Sequence, residues 1–186
     1  MIGRPLSAVV PNRACEDATL MGRVAQGDLS ALGELYDRHA RGLVRFAARM
    51  STWNDAEDVV QEVFLRVVRL AKEFDAGAAS ARPWLYALTL RAAQERRRSL
   101  RRWAAALLQL SGQSPSGVTQ LRETNRDLER ALARLNPKKR EVLLLAEVEG
   151  FTSREIAALL GVPIGTVWTR LHHARRALRQ LLESSK

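Results

Sequence analysis

The side chains of this chain that could do chemistry are mostly arginines, and their spacing predicts binding rather than catalysis. Arginines crowd residues 91–102, a stretch with a single acid, Glu95. Such a cluster attracts phosphates, because each guanidinium offers a fork of donors that matches phosphate oxygens. His172 and His173 are adjacent, so they do not share a helix face well enough for a metal site. We expect a protein that binds a polyanion and has no catalytic residues, no metal and no cofactor.

The rest of the chain carries no common catalytic motif. It has no Gly-rich phosphate loop, no nucleophile elbow and no paired-Cys zinc spacing, and Cys15 is its single cysteine. The excess of 30 Lys and Arg over 20 Asp and Glu gives a net charge of +10, which suggests nucleic acid or an anionic membrane surface as a partner. No apolar run approaches the roughly 18 residues of a membrane span. Residues 1–14 also lack the apolar segment of a signal peptide, so we expect a cytoplasmic protein.

Composition and hydrophobic periodicity predict an all-α fold. Hydrophobic residues make up 46% of the chain but aromatics only 5%, a mixture that favours helices over strands. Residues 1–18 read as a loose tail, and a first helix begins near Asp28. A second helix begins near Asn54, which can form a capping box with Glu57, and a third begins at Pro83. The predicted buried positions of the first two are Leu32, Leu35, Tyr36, Leu43, Ala47, Val59, Val60, Val63, Phe64, Val67 and Val68.

A polar sequence at 111–117, with turn residues and almost no charge, divides the chain into two predicted helical domains. The first domain spans residues 19–102 and the second spans 127–186. Residues 103–126 are predicted to form a flexible linker that lets the domains reach separate sites.

The second domain has the pattern of a helix-turn-helix. Asn136 and Pro137 begin one helix, which Gly150 ends, and Thr152 and Glu155 form a capping box for the next. The predicted elements of the motif are a short helix at 153–160, a turn at 161–163 and a long helix at 164–182.

The last helix is predicted to have two unlike faces. Its apolar face is formed by Val167, Leu171, Ala174, Leu178 and Leu181. Its polar face is formed by Thr169, His172, His173 and Arg176. A helix that reads base edges in the major groove needs an apolar back and a polar front of this kind, although an ordinary solvated helix has the same pattern.

Three stretches resemble a known family. LNPKKREV (135–142), GFTSREIA (150–157) and LGVPIGTV (160–167) are similar to region 4 of the extracytoplasmic-function (ECF) sigma factors of RNA polymerase. DAEDVVQEVF (55–64) resembles the polymerase-binding helix of their region 2, and RPWLY (82–86) resembles the start of their promoter-melting helix. The similarity extends over about residues 25–183.

The resemblance implies partners and site residues. A sigma factor binds core polymerase, at the β′ clamp helices and the β flap, and recognises the −10 and −35 promoter elements. Polymerase binding is expected at Asp58, Gln61, Glu62 and Phe64. Binding and melting of the −10 element are expected at Trp84, Tyr86, Arg91, Arg96, Arg97, Arg98, Arg101 and Arg102. The −35 element is expected at Arg154, Thr166, Trp168, Thr169, Arg170, His172, His173 and Arg176. An anti-sigma factor is expected to cover the polymerase-binding surfaces.

Two departures from the family pattern affect DNA specificity. Arg91 stands close to the place of an Asn that belongs to −10 recognition, and Trp168 stands where a basic residue is common. Two other functions fit parts of the sequence. One is a dimeric helix-turn-helix regulator that acts without polymerase, and the other is a helix-turn-helix recombinase.

Overall fold

The computed structural model describes residues 13–50, 53–75, 80–111 and 126–184, which form helices and no strand. The helices are α1 (Arg13–Ala25), α2 (Leu29–Met50), α3 (Trp53–Leu70), α4 (Arg82–Ser111), α5 (Arg126–Arg134), α6 (Pro137–Leu143), α7 (Ser153–Leu160) and α8 (Ile164–Glu183). A 3-10 turn at Ala71–Glu73 follows α3, and a π-helical segment at Leu144–Val148 follows α6. The predicted all-α class is confirmed.

Helices α1–α4 pack into the first domain around side chains that the periodicity placed inside. Leu35 and Leu43 of α2 and Val60 and Val63 of α3 are fully buried. The stripe on α3 is narrower than predicted, because Val68 at its edge is 40% exposed.

The predicted loose tail is wrong for residues 13–18, which belong to α1. Leu20, Met21 and Val24 of this helix are buried in the core. Asp17 is buried too and accepts hydrogen bonds from Arg38 Nη1 at 2.8 Å and His39 Nε2 at 3.1 Å. Helix α1 therefore docks on α2 through both apolar and charged contacts.

Two predicted boundaries differ from the structure. Helix α3 begins at Trp53, so Asn54 lies inside it, and the true cap position, residue 52, lies outside the described residues. Helix α4 continues to Ser111, so the first nine residues assigned to the linker are helical. Residues 112–125, with most of the predicted flexible sequence, lie outside the described residues, and so do residues 76–79.

In the second domain, α5–α8, helices α6 and α7 begin with the predicted caps. Asn136 Oδ1 accepts from the Lys138 amide at 3.0 Å. Thr152 Oγ1 accepts from the Glu155 amide at 3.3 Å, while the Glu155 carboxylate accepts from the Thr152 amide at 2.7 Å. Gly161 ends α7 in the left-handed conformation with φ of 63°, which starts the turn into α8.

The two domains pack directly against each other. Gln94 Nε2 of α4 donates to Glu141 Oε1 of α6 at 2.8 Å. Arg49 of α2 lies 3.5 Å from Glu129 of α5. Arg140 Nη2 of α6 reaches the carbonyl of Met50, at the end of α2, at 3.4 Å. These contacts define one compact arrangement of the described residues.

Candidate polymerase-docking and DNA-binding surfaces

The predicted acidic patch lies on an exposed face of α3. Asp58, Gln61 and Glu62 are exposed, and Leu65, one turn further on, is 65% exposed. Positions three and four apart share a helix face, so these four side chains form one continuous surface, which we call the α3 stripe. Leu65 is not among the residues predicted for this surface, although its position between the buried Val63 and Val67 indicates the opposite, exposed face of α3.

Phe64 does not belong to the α3 stripe. Its side chain is only 5% exposed, and its ring packs edge-on against Tyr36, with the ring centres 4.9 Å apart. It therefore supports the stripe from beneath, and the prediction that it contacts polymerase directly is wrong for this arrangement.

Arginines partly neutralise the α3 stripe. Arg66 contacts Glu62 and also donates to Glu95 of α4 at 2.7 Å. Arg96 of α4 donates to Asp55 at 2.9 Å and lies 3.7 Å from Asp58. Arg96, predicted for DNA binding, thus also fixes α4 against α3. Asp58 and Glu62 keep half or more of their side-chain surface in solvent, so they remain open to a partner.

The other arginines of α4 take several positions. Arg91, Arg98, Arg101 and Arg102 are exposed, whereas Arg97 is half-buried. Burial, and then the charge of Arg101, lower the pKa of Arg97. Four of them line a cavity between α4 and the second domain, namely Arg91, Arg97, Arg98 and Arg101.

Trp84 and Tyr86, the two aromatic residues predicted for −10 binding and melting, are not free in this arrangement. Trp84 is half-buried and packs edge-on against Phe74, with the ring centres 5.7 Å apart. Tyr86 is only 3% exposed, between Phe46 and Phe151. In the packed arrangement of the domains Tyr86 is therefore inaccessible to DNA, and its predicted role in −10 melting would require the domains to separate.

The loop before α7 covers Tyr86. The Tyr86 hydroxyl donates to the Glu149 carboxylate at 2.5 Å, and Arg82 Nη2 donates to the Glu149 carbonyl at 2.6 Å. The Arg82 guanidinium also lies over the Phe151 ring, 4.3 Å from its centre. We call this set of contacts the Glu149 clasp. Burial, together with the Glu149 carboxylate, raises the pKa of Tyr86, so it stays a hydrogen-bond donor.

Helix α8 divides into the predicted faces. Val167, Leu171 and Ala174 are buried. The exposed residues of the predicted −35 set are Arg154, Trp168, Thr169, His172, His173 and Arg176. Thr166 and Arg170 are half-buried, and Arg170 lines the interdomain cavity. The Thr169 hydroxyl donates to the Gly165 carbonyl at 2.9 Å, which leaves it free only as an acceptor.

In the part of the chain that the structure describes, we find neither a cluster of metal-ligating side chains nor a membrane-spanning helix. No three His, Cys, Asp or Glu side chains there come together as metal ligands. None of its helices is both long and apolar enough to cross a membrane.

An acidic helix face in one domain and a helix-turn-helix in the other define a DNA-binding protein with a second, protein-docking surface. Family comparisons agree with this division. Residues 35–103 match the family model for sigma-70 region 2, and residues 125–178 match that for sigma-70 region 4.

Curated relatives narrow the family further. The chain is 35% identical over 166 aligned residues to the ECF RNA polymerase sigma factor SigL of Mycobacterium tuberculosis. The alignment covers 86% of this chain and 93% of SigL. The chain is also 34% identical to the ECF RNA polymerase sigma factor SigE of Mycolicibacterium smegmatis. That alignment covers 85% of this chain but only 65% of the length of SigE. The chain belongs to the ECF family of RNA polymerase sigma factors.

Solved structures share the fold. CnrH, solved in complex with the cytosolic domain of CnrY, is 28% identical with a TM-score of 0.70 over 92% of this chain and 99% of CnrH. The sigma factor RpoE of Bartonella quintana, solved with the anti-sigma factor NepR, has a TM-score of 0.64 at 24% identity over 83% of this chain and 98% of RpoE. The family consists of non-enzymatic transcription initiation factors.

Proposed function

We propose that this protein docks on core RNA polymerase through the α3 stripe and directs it to promoters, with α4 binding the −10 element and α8 reading the −35 element. The observation that carries the proposal is the separation of charge. An exposed acidic face lies on α3, while cationic side chains dominate α4 and α8 of a chain with net charge +10. An acidic surface on such a chain favours a cationic protein partner, and the cationic surfaces favour DNA phosphates.

The α3 stripe supports polymerase docking by its composition. Asp58, Gln61 and Glu62 lie on the turns of α3 that precede the exposed Leu65, so an apolar contact at Leu65 would adjoin polar and charged contacts on the same face. Interfaces are commonly strongest where a buried apolar anchor is enclosed by polar contacts. By the family resemblance, the surfaces bound are the β′ clamp helices and, for the second domain, the β flap.

DNA melting would follow from strand capture rather than from chemistry. Separated strands are favoured when cations hold their phosphates and aromatic rings stack on unpaired bases. The arginines of α4 could supply the first contribution. Tyr86 could supply the second only after the Glu149 clasp opens, so promoter opening would require the domains to separate. No catalytic residue is needed for these steps.

The proposal extends to the location of the protein in the cell and to its inhibition. We place the protein in the cytoplasm with the polymerase, and we expect an anti-sigma factor to inhibit it. CnrH, solved with the cytosolic domain of CnrY, is a precedent for a protein partner other than polymerase. A helix-turn-helix regulator and a recombinase, which fit parts of the sequence, gain no support from the family comparisons.

Transcription in vitro with purified core polymerase tests the proposal. The wild-type chain should start transcripts at new positions that share a sequence motif. Charge reversal by Asp58→Lys with Glu62→Lys, or separately Leu65→Ser, should weaken core binding roughly ten-fold or more, because each removes part of the docking surface. Glu34→Lys, at an exposed acid that pairs with Arg23 on the α1 side of α2, is the charge control.

Circular dichroism of each variant separates loss of docking from loss of fold. Unchanged core binding by folded variants of the α3 stripe would contradict the docking surface. An absence of motif-sharing transcripts from the wild-type chain would contradict the whole proposal.

A further inference from the structure

A cavity of about 490 Å³ lies between α4 of the first domain and α6, α7 and α8 of the second. Part of its wall is apolar, with Leu90 of α4 facing Leu159 and Leu160 of α7. The cationic side chains of its wall are Arg91, Arg97, Arg98, Arg101, Lys138 and Arg170. A volume of this size accommodates a small molecule, and both domains contribute to its walls.

The charge of this cavity is unbalanced. Among the described residues that line it, the single carboxylate is Glu141, which accepts a hydrogen bond from Gln94 and is buried, and burial raises its pKa. None of the six cations forms an ion pair with an acid among the described residues. Four of them come from α4, whereas Lys138 and Arg170 come from the second domain. Packing the domains together therefore brings like charges close, which opposes the arrangement unless an anion is present.

Arg140, a buried arginine next to the cavity, also carries a positive charge that no neighbouring acid pairs with in an ion pair among the described residues. Arg140 is only 6% exposed, and its Nε has no hydrogen-bond partner among the described residues. Burial first, and then the charge of Arg97, lower its pKa. Buried charged donors are rarely left unpaired in folded proteins, so the surroundings of Arg140 and Arg97 favour added negative charge.

We propose that the cavity binds a small molecule carrying two or more linked phosphate groups, which holds the two domains in their packed arrangement. Guanidinium forks match phosphate oxygens in geometry and charge, and linked phosphates would neutralise cations from both domains at once. The apolar wall leaves room for a base or another flat group. Because four of these arginines also belong to the proposed −10 surface, occupancy would reduce promoter binding. Only that last consequence rests on the proposed function.

Calorimetric titration of the full chain with inorganic tripolyphosphate, in about 0.15 M salt, tests the site. We expect one ion bound per chain and weaker binding of orthophosphate. Arg97→Ala, Arg101→Ala and Arg170→Ala should each lower the affinity roughly ten-fold, since each removes a charge-assisted contact. Arg102→Ala on α4 and Arg176→Ala on α8, which are exposed neighbours outside the cavity wall, should leave the affinity unchanged.

Equal losses in all five variants, or several ions bound per chain, would mean nonspecific attraction and overturn the proposal. A Glu149→Ala variant, loosened at the Glu149 clasp, tests domain closure, because tripolyphosphate should reduce its radius of gyration in X-ray scattering. An unchanged radius at saturation would overturn that part. A competition experiment with a short single-stranded oligonucleotide tests the alternative occupant. If binding of the oligonucleotide requires Arg170 and tripolyphosphate does not displace it, the cavity is a DNA site instead.

Discussion

Asp17 lies outside the predicted first domain, yet its carboxylate joins helix α1 to helix α2. Burial of this carboxylate raises its pKa, but the hydrogen bonds and charges of His39 and Arg38 outweigh burial, so the net pKa is lowered. A carboxylate with a lowered pKa stabilises the fold above its unfolded-state pKa, and this contribution is lost as the pH falls through the folded value.

Asp17→Asn should therefore reduce the free energy of unfolding at pH 7 by about 2 kcal/mol, because Arg38 and His39 lose a charged acceptor. The difference from wild type should begin to shrink as the pH falls below about 4, the ordinary pKa of an unfolded aspartate, and should disappear only below the lower pKa of the folded carboxyl. Urea denaturation at several pH values measures both effects. Asp37→Asn, at an exposed acid of α2, is the control and should change little. A difference that persists undiminished at low pH would contradict the ionic role.

His172 and His173 stand together on the exposed face of α8, with their ring centres 5.5 Å apart. Exposed imidazole nitrogens can hydrogen-bond to base edges or phosphates, so removing both rings should weaken binding to the −35 element. The double variant His172→Ala, His173→Ala should therefore lose affinity in a −35 binding assay. Unchanged −35 affinity in the double variant would show that the imidazoles do not contact DNA.

At the scale of elements, the helix-turn-helix depends on how α7 begins. The reciprocal hydrogen bonds of Thr152 and Glu155 satisfy two amides that the helix itself leaves unpaired. The two residues are three positions apart in the sequence, so the capping box could be predicted from the sequence alone.

Thr152→Ala should cost about 1 kcal/mol of stability in the second domain, since the Glu155 amide loses its acceptor. Amide hydrogen exchange at Glu155 and Ile156 should accelerate most. Thr152→Ser keeps the hydroxyl and should behave like wild type, while Ser153→Ala tests a neighbouring hydroxyl without this bond. Equal protection of these amides in Thr152→Ala and wild type would exclude the cap as a stabilising contact.

At the scale of the whole molecule, the Glu149 clasp joins the domains through a buried tyrosine. Gly42 of α2 leaves space for the Tyr86 hydroxyl, because a Cβ at position 42 would lie 3.0 Å from that oxygen. The clasp and the interdomain cavity therefore belong to one arrangement, in which the surfaces proposed for the −10 element are partly covered.

A double-mutant cycle of Tyr86→Phe and Glu149→Gln should give a coupling energy of about 1–2 kcal/mol in urea denaturation, because the hydrogen bond joins a buried donor to a carboxylate. The exposed pair Asp127 and Arg130 offers a matched cycle that should couple by less than about 0.5 kcal/mol. Coupling at the clasp no larger than at this surface pair would mean that the domains do not pack this way in solution.

The sequence by itself determined the features that depend on near neighbours. The caps at Asn136 and Thr152, the turn at Gly161 and the two faces of α8 each follow from hydrogen bonds or periodicity within a few residues. The family resemblance rested on the same local motifs, and the comparisons confirm it.

Only the tertiary structure decided which of these side chains are accessible. Tyr86 and Glu149 lie 63 residues apart in the chain, and nothing in either neighbourhood predicts that they meet. The same holds for Phe64 beneath the α3 stripe and for the cations that converge on the interdomain cavity. Helix periodicity reports that a face is apolar or charged, but the partner of that face depends on how whole helices and domains assemble.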